Sequence, residues 1–191
     1  SLGLVGSEMC IRDSPIAALD PEVAERTVTL MSASKAFNIA GLCIAFAVFG
    51  GSELQKNFNI IPRHTRGGVN TLSAAAVRAA WNESQPWLDG AKKYLRRNRD
   101  HVFDHCRSHW QGVQHFAPEA TYLAWFDMRS LDLKPSPFEF FLKHSRVAVM
   151  DGELFGDIGR GYARLNFATS EAMLDQILIR MTQAMNSQRL V

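Results

Sequence analysis

The stretch "TVTLMSASKAFNIAGL", Thr27 to Leu42, opens as a strand and breaks at a serine-rich tripeptide. "TVTLM" alternates β-branched and apolar residues, which predicts a strand ending at Met31. "CIAFAVF", Cys43 to Phe49, predicts a second strand, apolar on both faces as in a sheet covered by helices on both sides. Ser32-Ala33-Ser34-Lys35 then lies on the connection between them, above a sheet edge, where α/β folds place ligands.

A lysine three residues after a serine fits two chemistries. Ser32 could be an acylated nucleophile helped by Lys35, or Lys35 could itself be the reactive amine, holding a carbonyl cofactor as a Schiff base. The first needs both side chains on one helix face, one turn apart. It also needs the partner motifs S-D-N and K-T-G, which the sequence lacks. A motif leaving a strand favours the lysine chemistry, with the hydroxyls of Ser32 and Ser34 free to donate to a phosphate.

Outward from this stretch, helices and strands alternate. Asp20 as cap and Pro21 at the first helical position predict a short helix to about Arg26. "LSAAAVRAAWNE" predicts a helix from Thr71. Pro86 starts a second, reaching about Trp110, with Trp87, Leu88, Ala91, Tyr94, Leu95, Val102 and Cys106 at helical spacing. "ATYLAWFDM" reads as strand, "PFEFFLKHS" as helix, "VAVM" as a short strand and "YARLNFA" as another. A closing helix from Ser170 carries Met173, Leu174, Ile177, Leu178, Met181 and Met185 in one stripe. The fold class is α/β. The domain boundaries expected are 15–86 for the tail of a sheet domain and 87–191 for the long helix with a smaller α+β domain. Two strands and one short helix cannot cover a sheet by themselves, so the first of these reads as incomplete.

The 191 residues carry a net charge of +2 with no block of either sign, which excludes nothing about partners but gives no nucleic-acid or membrane surface. Cys10, Cys43 and Cys106 are odd in number and lack C-x-x-C spacing, pointing to reduced thiols in the cytoplasm. No apolar run reaches the roughly 20 residues of a membrane span. Residues 1–14, "SLGLVGSEMCIRDS", have neither a signal-peptide pattern nor the periodicity of the chain beyond Pro15, and look like a cloning or sequencing adapter read in frame.

"SASKAFNIAGL" resembles the lysine motif of fold-type I pyridoxal-phosphate enzymes of the class I/II aminotransferase family, in particular its cystathionine β-lyase-like branch. "GVNTLSAAAVRAAW", "YLRRNRDHV", "PEATYLAWFDMRSL" and "VAVMDGELFGDIGRGYARLNFATS" resemble segments of that branch in the same order. The resemblance implies the C-terminal part of the pyridoxal-phosphate-dependent transferase fold: the end of the large domain, a long interdomain helix and a small α+β domain. It implies pyridoxal 5'-phosphate as cofactor, an amino-acid substrate and a homodimer. Lys35 takes the position of the cofactor lysine and proton-transferring base, Ser32 that of a phosphate contact with Ser34 beside it, and Arg164 that of the arginine binding the substrate α-carboxylate. Asp151-Gly152 and Phe155-Gly156 are expected to shape the loop over the substrate, without chemistry of their own.

The resemblance has two departures. Many members carry a phosphate-binding arginine eight residues after the lysine, where this sequence has Cys43. The pyridine-nitrogen aspartate, expected about thirty residues before Lys35, would fall in residues 1–14, so the chain reads as the inactive C-terminal half of an enzyme. The activity implied is β-elimination from cystathionine or a related cysteine S-conjugate, with transamination as the alternative and a non-catalytic regulator as a third reading. His101, His105 and His109 recur at every fourth position, and "HVFDH" superficially resembles the zinc motif H-x-x-E-H. Asp104 stands where that motif needs glutamate, so the histidines read as the solvated flank of the long helix.

Overall fold

A computed structural model describes residues 15–188, and the expectation about residues 1–14 lies outside them. The chain forms two compact units and passes from one to the other at Lys92–Lys93.

In the first unit, α1 (Pro21–Glu25) is capped by Asp20, whose carboxylate accepts the Glu22 N–H at 2.7 Å. β1 (Val28–Met31) and β2 (Phe46–Phe49) pair antiparallel, Val28 opposite Phe49 and Met31 opposite Phe46. Gly50 lets the chain turn back onto α1, since a Cβ there would sit 1.8 Å from the Ala24 carbonyl oxygen. α2 (Ser52–Ile60), a helix the sequence reading did not anticipate, comes next, and then α3 (Thr71–Glu83), capped by Asn70. The Ser73 hydroxyl donates to the Leu42 carbonyl at 2.8 Å and so ties α3 to the segment between the strands. The core here is small: Ala33, Ile44 and Val77, with Phe37, Ile39, Phe46 and Ala74 against them.

Two expectations about β2 fail. It begins at Phe46 rather than Cys43, because Cys43 has φ 47° and ends a 3-10 turn over Ala40–Leu42. Nor are the strands covered on both faces: Leu30 is 75% and Val48 54% exposed, since β1 and β2 pair only with each other.

α4 (Gln85–His109) starts in the first unit, where Trp87 stacks on Phe37, and runs into the second. There β3 (Gln114–His115), β4 (Leu123–Asp127), β5 (Met150–Asp151) and β6 (Tyr162–Asn166) form an antiparallel sheet in the order β3-β4-β6-β5. α5 (Pro137–Ser145) and α6 (Glu171–Gln188) complete the unit. Period-two alternation divides the sheet. Ala124, Phe126, Ala163 and Leu165 turn inward and are buried against Val102 and Cys106 of α4, Phe140 and Phe141 of α5, and Leu174, Leu178 and Met181 of α6. Full burial of one such large side chain stabilises the fold by about 1.5–3 kcal/mol. Trp125, Asp127, Tyr162 and Arg164 occupy the opposite face by the same alternation.

The strands are shorter than expected. β4 starts at Leu123 because Thr121 takes φ 69° and its hydroxyl accepts the Leu123 N–H at 3.3 Å. Val147 and Val149 enter the core without pairing, since Arg146 closes α5 at φ 55° and the Val147 N–H is held by the Phe141 carbonyl at 3.3 Å. Met173 is the one member of the predicted α6 stripe that is 48% exposed.

Candidate functional site

Ser32, Ser34 and Lys35 sit in one turn at the end of β1. The turn closes through the Phe37 N–H on the Ala33 carbonyl and the Ile39 N–H on the Ser34 carbonyl, both at 3.0 Å. Asn38, with φ 55°, supplies the left-handed residue that reverses the chain. Ala33 is buried in the small core and pins the turn, while Lys35 points out exposed. Among the described residues, the Lys35 amine has no hydrogen bond or ion pair. The Ser32 hydroxyl is 2.7 Å from that of Ser34 and 2.8 Å from the Ile44 carbonyl, and it accepts the Ser34 N–H at 3.1 Å. Ser32 therefore bonds across the turn and to the approach of β2. It makes no bond to Lys35, and the pair is not on a helix, which removes the geometry an acyl-serine mechanism needs.

The Lys35 amine, exposed and unpaired among the described residues, shares its turn with two hydroxyls, a donor set that fits a phosphorylated aldehyde: the amine for the carbonyl, the hydroxyls for phosphate oxygens. Cys43, eight residues after Lys35, is exposed, its sulfur 3.7 Å from the Ala40 and Gly41 carbonyls. It adds no charge to the set.

Arg164 belongs to the second unit. It is half-buried at the centre of β6, opposite Trp125 on β4 and Met150 on β5. Its Nη2 lies 2.6 Å from the Met150 sulfur and its Cζ 4.6 Å from the centre of the Phe155 ring. No carboxylate pairs with it among the described residues. Arg129 is the contrast. Its guanidinium is 4.9 Å from the Tyr162 ring centre, but Asp127 takes its fork at 2.9 and 2.6 Å. That hydrogen bond holds the Asp127 carboxyl below the usual carboxylate range. One arginine is neutralised within the protein, and the other keeps its charge available.

Asp151 accepts the Glu153 N–H at 3.1 Å and the Ser136 hydroxyl at 3.0 Å, and so shapes the 3-10 turn Gly152–Phe155. Gly152 is required there because a Cβ would meet the Gly159 carbonyl oxygen at 2.2 Å. Trp125 and Met150 were not expected around Arg164, because their meeting depends on strand register, which a single sequence does not state; Phe155, expected only to shape the loop over the substrate, reaches it from the 3-10 turn Gly152–Phe155. Asn98 did leave a signal, as the polar member of the row Tyr94, Asn98, Val102, Cys106. It is buried and donates to the Phe167 and Thr169 carbonyls at 2.8 and 2.9 Å, fixing the exit of β6.

The histidines of α4 are not simply a solvated flank. His101 Nε2 lies 2.6 Å from Asp175, and His105 Nε2 lies 2.8 Å from the Thr182 hydroxyl, both on α6. Burial first, then the neighbouring His109 and His101, push His105 down to about 4. No group of His, Cys, Asp or Glu able to hold a metal occurs among the described residues.

The family model described as "Aminotransferase class I and II" matches residues 3–181. The chain is 31% identical over 169 residues to a cystathionine beta-lyase of Corynebacterium glutamicum, covering 88% of this chain and 45% of that protein. It superposes on the crystal structure of a PLP-bound C-S lyase from Staphylococcus hominis with TM-score 0.78 and 32% identity, covering 84% of this chain and 42% of that one. An aromatic aminotransferase from Pyrococcus horikoshii gives TM-score 0.81 at 27% identity, with 94% and 48% covered. The chain thus spans less than half the length of each of these relatives. Its mixed helices and sheets make up part of the pyridoxal-phosphate-dependent transferase fold. The chain belongs to the aminotransferase class I and II family.

Proposed function

We propose that the protein is a pyridoxal-phosphate-dependent carbon–sulfur β-lyase, cleaving cystathionine or a related cysteine S-conjugate to a thiol, pyruvate and ammonia. The observation that carries the reading is the Lys35 amine, unpaired among the described residues, on the turn leaving β1 that also carries the Ser32 and Ser34 hydroxyls, 2.7 Å apart. The choice among family activities rests on the likeness to the Corynebacterium and Staphylococcus lyases.

When bound, the cofactor supplies the electron sink that acidifies the substrate Cα–H. Lys35 would hold the cofactor's aldehyde carbon and, with substrate seated, take the α-proton at Nζ. Ser34 would donate to the phosphate, and so would Ser32 on giving up its bond to the Ile44 carbonyl. Arg164 would grip the α-carboxylate with both arms of its fork, a geometry that suits a planar carboxylate and stays charged throughout. In elimination the Cβ–S electron pair departs on the thiolate, and what remains of the substrate takes up water and leaves as pyruvate and ammonia. We place the protein in the cytoplasm as a homodimer, on its free Cys43 and Cys106 and on the family resemblance.

The runner-up is amino transfer to a 2-keto acid, favoured by the likeness to the Pyrococcus aminotransferase. Incubation of the full-length protein with cystathionine and cofactor tests both. Stoichiometric pyruvate and thiol support the lyase; amino transfer to an added keto acid without pyruvate assigns the runner-up.

A further inference from the structure

We infer that Phe155 is a positioning residue for Arg164, orienting its guanidinium for a carboxylate while leaving the charge unspent. The inference rests on the reading of Arg164 as the carboxylate anchor.

An arginine in a strand can be oriented in two ways. A carboxylate orients it strongly but neutralises it and competes with any incoming carboxylate, which is the arrangement of Arg129 with Asp127. An aromatic face orients it through the ring quadrupole and leaves the N–H donors at the guanidinium rim available. Arg164 has the second arrangement: the Phe155 ring centre 4.6 Å from Cζ, a thioether sulfur at Nη2, and no carboxylate among the described residues.

The ring is itself held in place. It meets Trp125 in a T-shaped contact with centroids 5.4 Å apart, and Trp125 in turn stacks on Tyr162 at 5.5 Å. Its backbone ends the turn that Asp151 caps, and Gly152 and Gly159 meet too closely to admit a side chain at either position. Phe155 is only half-buried and lies outside the hydrophobic core, so packing of the core does not account for its place. A leucine there would keep most of the apolar contact and lose only the ring face.

The test uses the full-length protein, with propionate as a carboxylate probe in an NMR titration and steady-state kinetics on cystathionine alongside. Phe155→Leu is expected to weaken propionate binding and raise KM by roughly three- to tenfold, with kcat held within about twofold. Phe155→Trp, which keeps a ring face, is expected to restore both. Arg164→Ala is expected to abolish propionate binding. If Arg164→Ala loses the probe while Phe155→Leu binds it like the unaltered protein, the inference fails and the role of Arg164 stands. If Phe155→Trp is as weak as Phe155→Leu, shape rather than the ring face is at work, and the inference also fails. If Arg164→Ala binds propionate normally, the anchor reading itself is wrong and the inference falls with it.

Discussion

Lys35 and Ser32 are separated by two residues yet tied to the fold very differently. The Lys35 amine makes no hydrogen bond or ion pair among the described residues, so its removal should leave the turn intact. The Ser32 hydroxyl spans to the Ile44 carbonyl and so also fastens the turn to the approach of β2. On the proposed reading of Lys35 as the proton-transferring group, Lys35→Ala should therefore abolish both pyruvate release and amino transfer, by at least roughly 10²–10⁴-fold, with an unchanged melting temperature. Ser32→Ala should weaken cofactor binding and in addition cost about 1 kcal/mol of stability, because it leaves the Ile44 carbonyl with one donor fewer. Cofactor titration and thermal unfolding of the two variants separate these effects; a melting temperature that falls with Lys35→Ala but not with Ser32→Ala would reverse the assignment. The turn was legible in the sequence because its chemistry is local. The setting of Arg164 was legible only as far as the residue itself, since Met150 and Trp125 reach it through pairings across β4, β6 and β5, and Phe155 from the turn after β5, none of which a short motif encodes.

α4 and α6 meet along a seam of polar groups within an otherwise apolar contact. His105 and the Trp110 indole N–H both reach the Thr182 hydroxyl, at 2.8 and 2.7 Å, while His101 faces Asp175. Spacing alone showed that the three histidines share a stripe of α4. That the stripe meets a second helix depends on tertiary packing, which is why a solvated flank was the expectation. The seam makes stability depend on pH. His105 binds a proton near 6.5 in an unfolded chain but only at about 4 when folded. Between those values the unfolded state carries more protons, so acid favours unfolding; above about 6.5 both states are neutral and this contribution is flat. His115, whose proton affinity burial also lowers, acts with the same sign. Urea unfolding midpoints should therefore be level from about pH 8 to about 6.5 and decline toward about pH 4. In His105→Gln the decline should be shallower, with His115 supplying what remains. An unchanged slope in that variant would mean the seam opens to solvent before unfolding.

The two units differ in how much they bury. In the second, three helices and a four-stranded sheet close around one continuous core that includes Phe126, Phe141, Phe167, Leu174, Leu178 and Met181, each essentially without exposure. In the first, three buried apolar residues form the cluster, while Leu30, Met31, Val48, Ile60 and Leu72 remain exposed. The sequence anticipated this asymmetry through the small number of strands before Thr71, although it misjudged β2 as doubly covered. Since opening free energy tracks buried apolar contact, backbone amides of β1 and β2 should exchange with solvent much faster than those of β4 and β6. A two-stranded ribbon is marginal in water, whereas β4 and β6 sit in the interior of their sheet. The expected gap in protection is about a hundredfold or more, or ~2.7 kcal/mol of local opening free energy. Hydrogen exchange read by mass spectrometry on peptides covering residues 27–50 and 121–167 measures it directly. Equal protection in the two peptides would show that the β1–β2 ribbon is covered by a surface other than its own small core, and the exposed Leu30 and Val48 would be the first residues to map for that contact.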